Sequence, residues 1–146
     1  MNAVGRLLHM VPELMLLGFA TWTLALLVGT IGIYRWGRIL TRRQRIGDFR
    51  ADAREGAAWY QRATRAHANC IENLPVFVVI VFVLRAAGVV GPEIDALCVV
   101  VLVARICQSM VHVAFVQTDR IVSIRFSCYS LQAVSFFALI VLAVMR

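Results

Sequence analysis

Four long apolar stretches, separated by short polar ones, divide the chain. The first runs from about Val11 to Tyr34. The second runs from about Leu74 to Val90, and a polar stripe extends its helix backwards to about residue 61. The third spans about residues 94–116 and the fourth about residues 121–145. A bilayer core about 30 Å thick is crossed by about 20 apolar residues in a helix. The pattern therefore predicts an all-α integral membrane protein, a bundle of four transmembrane helices forming a single domain over residues 1–146.

The longest non-apolar stretch, residues 35–60, lies between the first two spans and is predicted to be a basic loop. Its arginines alternate with acidic residues, which is typical of a solvated loop or a short surface helix. Arg35 and Arg38 lie nearest the membrane in this stretch. From there, they are close enough to reach a ligand bound at the same side of the bundle.

Composition and charge agree with a membrane protein and set its orientation. The chain is 61% hydrophobic, with a mean hydropathy of +0.80 and a net charge of +7. The arginines cluster between the first two spans and between the last two, so the positive-inside rule places both loops in the cytoplasm and both termini outside. Because this charge flanks membrane helices, it indicates attraction to anionic lipid headgroups and not binding of nucleic acid.

Polar side chains recur along one face of each of the last three spans. Residues spaced i, i+3, i+7 and i+10 share one stripe of a helix. In the second span that stripe contains Arg62, Arg65, Asn69 and Glu72. The third span repeats the spacing with Arg105, Gln108, His112 and Phe115, and the fourth has Arg125, Tyr129 and Gln132 at i, i+4 and i+7.

The predicted topology brings these three stripes to one depth at the cytoplasmic side. One reading is that they only hold the bundle together, for example through an ion pair between Glu72 and Arg105. However, four arginines face the single carboxylate of Glu72, and a surplus of buried planar cations favours an anionic ligand. A carboxylate or a phosphate suits the fork of an arginine best.

Two further features concern the helices themselves. The four cysteines stand singly, without the paired spacing of a metal site, so they are predicted to be buried small apolar residues and no metal is expected. Pro75 removes one backbone hydrogen bond from the second helix and is predicted to kink it.

The motif Arg62-x-x-Arg65-Ala-His-x-Asn69-x-x-Glu72-x-x-Pro75 resembles the second-helix signature of the MAPEG family, the membrane-associated proteins in eicosanoid and glutathione metabolism. The resemblance covers nearly the whole chain and points to a microsomal glutathione transferase-like member of the bacterial type. It implies a homotrimer in a bacterial inner membrane. It also implies that glutathione serves as co-substrate, held between neighbouring subunits at the cytoplasmic side.

The resemblance also implies a role for each candidate residue. Arg65 and Arg105 would bind, or support binding of, carboxylates of glutathione, with Arg35 or Arg38 assisting from the first helix. Glu72 would bind the ammonium group and Asn69 the peptide. Arg125 would lie near the sulfur and favour the thiolate, and Tyr129 would contact the peptide or orient the thiol. Further glutathione-binding candidates on the same stripes are Arg62, Gln108 and His112.

This sequence departs from better-known members at several positions. His112 stands where they carry Tyr, Gln108 where several carry His, and Ala68 where the prostaglandin synthase has Arg. The last of these argues against that specificity. The link between the last two spans is also longer, so that Arg120 competes with Arg125 for the place beside the thiol.

The function predicted from the resemblance is transfer of the glutathione thiolate to lipophilic electrophiles, reduction of lipid hydroperoxides, or both. Partners would then be glutathione, a hydrophobic small molecule or lipid substrate, and membrane lipids. The alternative is a non-catalytic membrane protein that binds glutathione or another membrane ligand, or that supports a partner. A small multidrug transporter is less favoured, because its acid would lie deep in the first span, whereas Glu13 lies near the outer end.

Overall fold

The computed structural model describes residues 10–49 and 56–145. Four long helices make up nearly all of this part: α1 (Val11–Leu40), α2 (Ala58–Ala86), α3 (Pro92–Ala114) and α4 (Asp119–Met145). A single turn of 3₁₀ helix, Ile46–Asp48, follows α1. Each long helix has the length and apolar composition needed to cross a membrane. The prediction of an all-helical protein with four membrane-spanning helices is therefore confirmed.

The helix ends differ from the predicted spans. The first helix continues past Tyr34 to Leu40, because long arginine side chains extend a helix through the headgroup layer while their charges stay in water. It includes a π-helical segment, Leu27–Gly32. The second helix already begins at Ala58, so both helices take residues from the stretch predicted as a loop. Residues 50–55 of that stretch lie outside the described residues.

At its other end, α2 stops at Ala86, short of residue 90. Gly88 there has a φ of 67°, in the left-handed region where glycine is favoured. The backbone N–H of Val89 donates to the carbonyl of Leu84, and that of Gly88 donates to the carbonyl of Arg85. This pair of hydrogen bonds is a Schellman motif, which satisfies the last carbonyls of the helix and ends it.

Aromatic rings join three of the helices in the core. Phe77 of α2 lies between Phe19 of α1 and Phe136 of α4, with ring centroids 5.9 Å apart in both pairs. The third helix packs most extensively against α4 and also contacts α1 and α2. Apolar side chains on the outer faces of all four helices are exposed, as expected of surfaces that face lipid.

The cysteines and the proline differ in how they match the sequence-based predictions. Cys70 and Cys98 are buried and Cys128 is half-buried, but Cys107 is exposed, so the prediction of burial is wrong for that residue. Cys107 lies on an outer face of α3, where lipid can cover a small apolar side chain.

The second helix is continuous through Pro75. A kink at that proline stays a prediction.

Short links join α2 to α3 and α3 to α4, so these helices are antiparallel. The end of α1 meets the start of α2 through hydrogen bonds from Arg35 to Tyr60 and from the N–H of Ala57 to the hydroxyl of Tyr34. One end of the bundle therefore combines the end of α1, the start of α2, the end of α3 and the start of α4. We call it the basic end, because the arginine-rich loop and the second basic link both lie there. All three predicted polar stripes are at or near this end.

Candidate functional site

The polar stripe on α3 is buried inside the bundle. Arg105 is 1% exposed, and Gln108 and His112 are also buried. Nη1 of Arg105 donates a 2.7 Å hydrogen bond to Oε1 of Gln108. The guanidinium group also lies over the ring of Phe19, 5.6 Å from its centroid. Burial of an arginine in a membrane helix costs free energy, and residues of this kind usually pair with other groups or belong to a functional site.

The stripe on α2 is more accessible. Arg62 and Asn69 are half-buried, whereas Arg65 and Glu72 are exposed in the single chain. Nε of Arg62 donates to the carbonyl oxygen of Val113 at 3.3 Å, which fixes this side chain against the end of α3. The stripe therefore runs from a contact with α3 to the surface of the subunit.

The start of α4 completes the arrangement. Arg125 is half-buried, and its backbone carbonyl accepts a hydrogen bond from Nε2 of Gln108 at 3.3 Å. Tyr129, one turn later, is 47% exposed. Arg120, by contrast, is exposed at the first turn of the helix. Of the two arginines considered for the place beside a thiol, Arg125 is the one that is joined, through its backbone carbonyl, to the α3 stripe.

The three stripes lie within electrostatic range of one another. Glu72 and Tyr129 are among the groups that act on Arg105. The charges of Arg62, Arg65 and Arg125 all act on His112. We call this set of polar residues the basic-end cluster. Its members are Arg62, Arg65, Asn69, Glu72, Arg105, Gln108, His112, Arg125 and Tyr129.

The charges of the basic-end cluster do not balance. Four guanidinium groups accompany one carboxylate, and within the described residues Glu72 forms no ion pair. The internal pair between Glu72 and Arg105 is therefore not formed, and Arg105 is bonded to Gln108 instead. Nε and Nη2 of Arg105 and Nε of Arg125 are inaccessible and have no hydrogen-bond partner among the described residues. Buried charged donors of this kind are expected to have a partner.

Arg38 is not brought to the basic-end cluster within the described chain. Its Nε donates to Oε1 of Gln44 at 2.8 Å, and its guanidinium group lies over the ring of Tyr34. Arg35 similarly donates to the hydroxyl of Tyr60 at 2.8 Å. Both arginines of α1 are thus held by contacts near the loop, and assistance from Arg38 stays a prediction.

Sequence reasoning missed several residues around Arg105. Phe19 is one of many apolar residues in α1, and no spacing distinguishes it. Sγ of Cys70 lies 3.5 Å from Oγ of Ser109, and both residues are buried beside Arg105. Gln132, by contrast, is on the predicted α4 stripe through its spacing of seven residues from Arg125, but that spacing assigns it no role. Both of its side-chain polar atoms are inaccessible and without a partner in the described part of the chain.

A cavity of about 290 Å³ lies at the opposite end of the bundle. It is lined by the start of α1, the end of α2 and the start of α3, and it includes Glu13 and Arg85. Oε1 of Glu13 accepts from Nε of Arg85 at 2.7 Å. An acid that is paired with an arginine near the start of α1 is a poor substitute for the deep acid of a transporter.

Comparison with known proteins identifies the family of the chain. No curated protein matches the chain at a significant level. A family model does match it, over residues 14–145, and it is that of the MAPEG family. Because the match covers all four helices and every residue of the basic-end cluster, the chain belongs to the MAPEG family, a group of membrane proteins that includes glutathione transferases and peroxidases.

Proposed function

We propose that this protein binds glutathione at the basic-end cluster and uses its thiolate against lipophilic substrates. The observation that carries the proposal is the surplus of guanidinium groups around the carboxylate of Glu72, which has no ion-pair partner among the described residues. Glutathione has two carboxylates, one ammonium group and one thiol, so its charges complement this set. The carboxylates match the arginines, and the ammonium group matches Glu72.

Within this site, each stripe has a separate task. Arg65 and Arg105 bind carboxylates, which gives the unpartnered donors of Arg105 an acceptor. Asn69 holds the peptide, while Arg62, Gln108 and His112 shape the wall formed by α2 and α3. The deep position of Arg105 supports this assignment, because a buried arginine becomes less costly when an anion joins it.

Arg125 and Tyr129 are the residues that we assign to the chemistry. A guanidinium group near the sulfur lowers the pKa of the glutathione thiol, and only the thiolate is a competent nucleophile. Tyr129 orients the sulfur or contacts the peptide. The thiolate then attacks an electrophilic carbon, forming a thioether and releasing the leaving group. With a hydroperoxide the thiolate attacks the terminal oxygen instead, and the O–O bond breaks to give the alcohol and a glutathione sulfenic acid. A second glutathione then reduces the sulfenic acid, forming the disulfide and water.

The exposure of Arg65, Glu72 and Tyr129 supports a site completed by a second subunit. A charged ligand on an open helix surface would face lipid on one side, which is costly. A neighbouring subunit in a homotrimer covers that surface and encloses the glutathione, while the outer apolar faces admit the lipophilic substrate from the bilayer. We also propose that the basic end faces the cytoplasm of a bacterium and that both termini lie outside.

A second candidate function is binding of glutathione or another anionic membrane ligand without catalysis. It is supported by the same charge surplus, together with His112 in place of the tyrosine of better-known members. The two candidates share the site but differ in what happens to the thiol.

The experiment that tests the proposal is retention of the detergent-solubilised protein on immobilised glutathione, followed by conjugation of a generic aryl halide. Retention together with an enzyme-dependent rate supports the enzyme. Retention without a rate supports the binding protein, and a failure of the folded protein to bind glutathione contradicts both. A variant with Glu13 changed to Gln is a matched control, because this acid lies at the opposite end of the bundle.

A further inference from the structure

A strongly basic turn follows α1, with exposed apolar side chains on both sides of it. Arg42, Arg43 and Arg45 are exposed, and Leu40 and Ile46, which flank them, are each 74% exposed. Within residues 10–49 and 56–145, none of the three guanidinium groups forms an ion pair with a carboxylate. The basic-end cluster does not include these arginines either, so they have only the general part that a basic loop plays in orientation and in attraction to headgroups.

The backbone of this turn is strained at an arginine. Arg42 has a φ of 55°, the positive value that glycine adopts far more readily than any L side chain. The N–H of Arg43 donates to the carbonyl of Arg38, and that of Arg42 donates to the carbonyl of Ile39, both at 2.9 Å. This is the same Schellman motif that ends α2, where Gly88 occupies the left-handed position. At the end of α1 an arginine stands where the backbone favours glycine.

Local hydrogen bonds hold the turn through the side chain of Gln44 and the backbone of Arg45. Nε of Arg38 donates to Oε1 of Gln44 at 2.8 Å. The backbone N–H of Arg45 donates to Oδ2 of Asp48 at 2.7 Å, which engages the nearest acid with the main chain. The three guanidinium groups therefore belong to an ordered turn and are presented together at the surface.

We propose that this turn, residues 40–46, binds the phosphate groups of anionic phospholipids at the membrane surface. Arginine forms paired hydrogen bonds with phosphate oxygens, and clusters of basic residues beside membrane helices attract anionic leaflets. Leu40 lies one turn beyond Trp36 on the same face of α1, and Trp36 is also exposed. Apolar and aromatic side chains on either side of the arginines suit a lipid, which offers acyl chains beside its phosphate, and not a soluble anion.

The strain at Arg42 agrees with such a role. Strained backbone positions persist where a function requires the side chain that occupies them. Glycine at position 42 would relieve the strain but would remove one of three adjacent charges from the headgroup layer. This inference is independent of glutathione, because none of the residues in the turn belongs to the basic-end cluster.

The experiment is native mass spectrometry of the full chain in detergent with equal amounts of phosphatidylglycerol and phosphatidylcholine of identical acyl chains. The wild-type protein should retain phosphatidylglycerol preferentially. In the triple variant Arg42→Gln, Arg43→Gln, Arg45→Gln, the ratio of bound phosphatidylglycerol to bound phosphatidylcholine should fall at least about tenfold, since each basic residue near a membrane surface contributes to the attraction. Lysine at the same three positions should keep most of the preference. Arg120→Gln, which changes an exposed arginine at the same end but outside the turn, should reduce it far less than the triple change does.

Two results would overturn the proposal. One is a triple glutamine variant that retains the wild-type preference while its helical circular dichroism and elution volume are unchanged. The other is displacement of phosphatidylglycerol by inorganic phosphate at a matched phosphate concentration, which would make the site one for soluble anions. If the triple variant fails to fold, Arg43→Gln, which changes an exposed residue outside the strained position, is compared with Arg120→Gln. Equal effects of these two single changes would also contradict a site at this turn.

Discussion

Nη1 of Arg105 donates a hydrogen bond of 2.7 Å to Oε1 of Gln108, one turn further along α3. The amide of the same glutamine donates to the backbone carbonyl of Arg125 at 3.3 Å. Gln108 therefore joins a guanidinium group deep in one helix to the first turns of the next. An amide suits this position because it accepts from the arginine with its oxygen and donates to the carbonyl with its nitrogen.

Replacing Gln108 with Leu should destabilise the folded protein. The variant leaves Arg105 without its hydrogen-bond acceptor, and a hydrogen bond to a charged group contributes about 1.5–3 kcal/mol. Thermal unfolding in detergent, followed by circular dichroism, measures the loss. Gln117→Leu is the matched control, because Gln117 is exposed in the link between α3 and α4. Equal melting temperatures for the two variants would contradict the bridging role of Gln108.

Glu72→Gln should weaken the binding of glutathione by roughly tenfold or more. The change removes the only carboxylate of the basic-end cluster, and a charge-assisted hydrogen bond to the ammonium group contributes about 1.5–3 kcal/mol. Isothermal titration calorimetry of the solubilised protein measures the affinity. Glu13→Gln removes an acid from the far end and should leave the affinity unchanged. A folded Glu72 variant with wild-type affinity would exclude this residue from the site.

Much of this arrangement could be predicted from the order of residues, because helical spacing alone places polar groups on one face. The stripes on α2, α3 and α4 follow from intervals of three and four residues, and their approach follows from short links between antiparallel helices. The partner of Arg105 could not be deduced in this way. Glu72, Gln108 and Tyr129 all lie on the polar stripes, so any of them could accept a hydrogen bond from Arg105 as far as the sequence shows. Only the packing of the side chains selects Gln108 as the acceptor.

The helix ends show the same contrast. Gly88 is a residue type that commonly ends helices, and the end of α2 beside it agrees with that preference. Arginine has no such preference, so the left-handed turn at Arg42 carries no signal in the sequence. The contact of Arg105 with Phe19 is equally hidden, since every turn of α1 offers apolar residues.

Arg42→Gly should stabilise the protein by about 1 kcal/mol, because glycine adopts positive φ values without the clash that an L side chain experiences. Thermal unfolding in detergent without anionic lipid gives the comparison with wild type. Arg43→Gly is the control, since residue 43 is not among the described residues with positive φ and glycine there only adds freedom to the unfolded chain. A melting temperature that falls equally in both variants would contradict strain at Arg42.

Assembly gives a further test, since the proposed site needs a neighbouring subunit. Native mass measurement or chemical crosslinking in mild detergent should give a trimer. The physical reason is the exposure of Arg65, Glu72 and Tyr129 in the single chain, which leaves a charged ligand facing lipid unless another copy covers it. A clean monomer that binds glutathione with the full affinity of the native preparation would contradict a shared site.

Arg125→Ala should impair the chemistry of glutathione much more than its binding. Arg125 lies one turn before Tyr129, and its backbone carbonyl is bonded to Gln108. Its Nε is inaccessible and its charge acts on His112, so we place its guanidinium group at the wall of the proposed site. Without this positive charge, the pKa of the bound thiol should rise and less thiolate should form near neutral pH. The ultraviolet difference absorbance of the thiolate reports the ionisation, and the turnover of an aryl halide reports the rate.

Arg120→Ala is the matched control for this prediction, because Arg120 is exposed on the first turn of the same helix. It should leave both the thiolate absorbance and the rate close to those of wild type. If Arg120→Ala abolishes both and Arg125→Ala preserves both, the roles of the two arginines are exchanged. If both variants and the wild-type protein bind glutathione but none forms thiolate, the enzyme reading fails. The same cluster is then a binding site in which the surplus of arginines holds the carboxylates of glutathione and leaves the sulfur protonated.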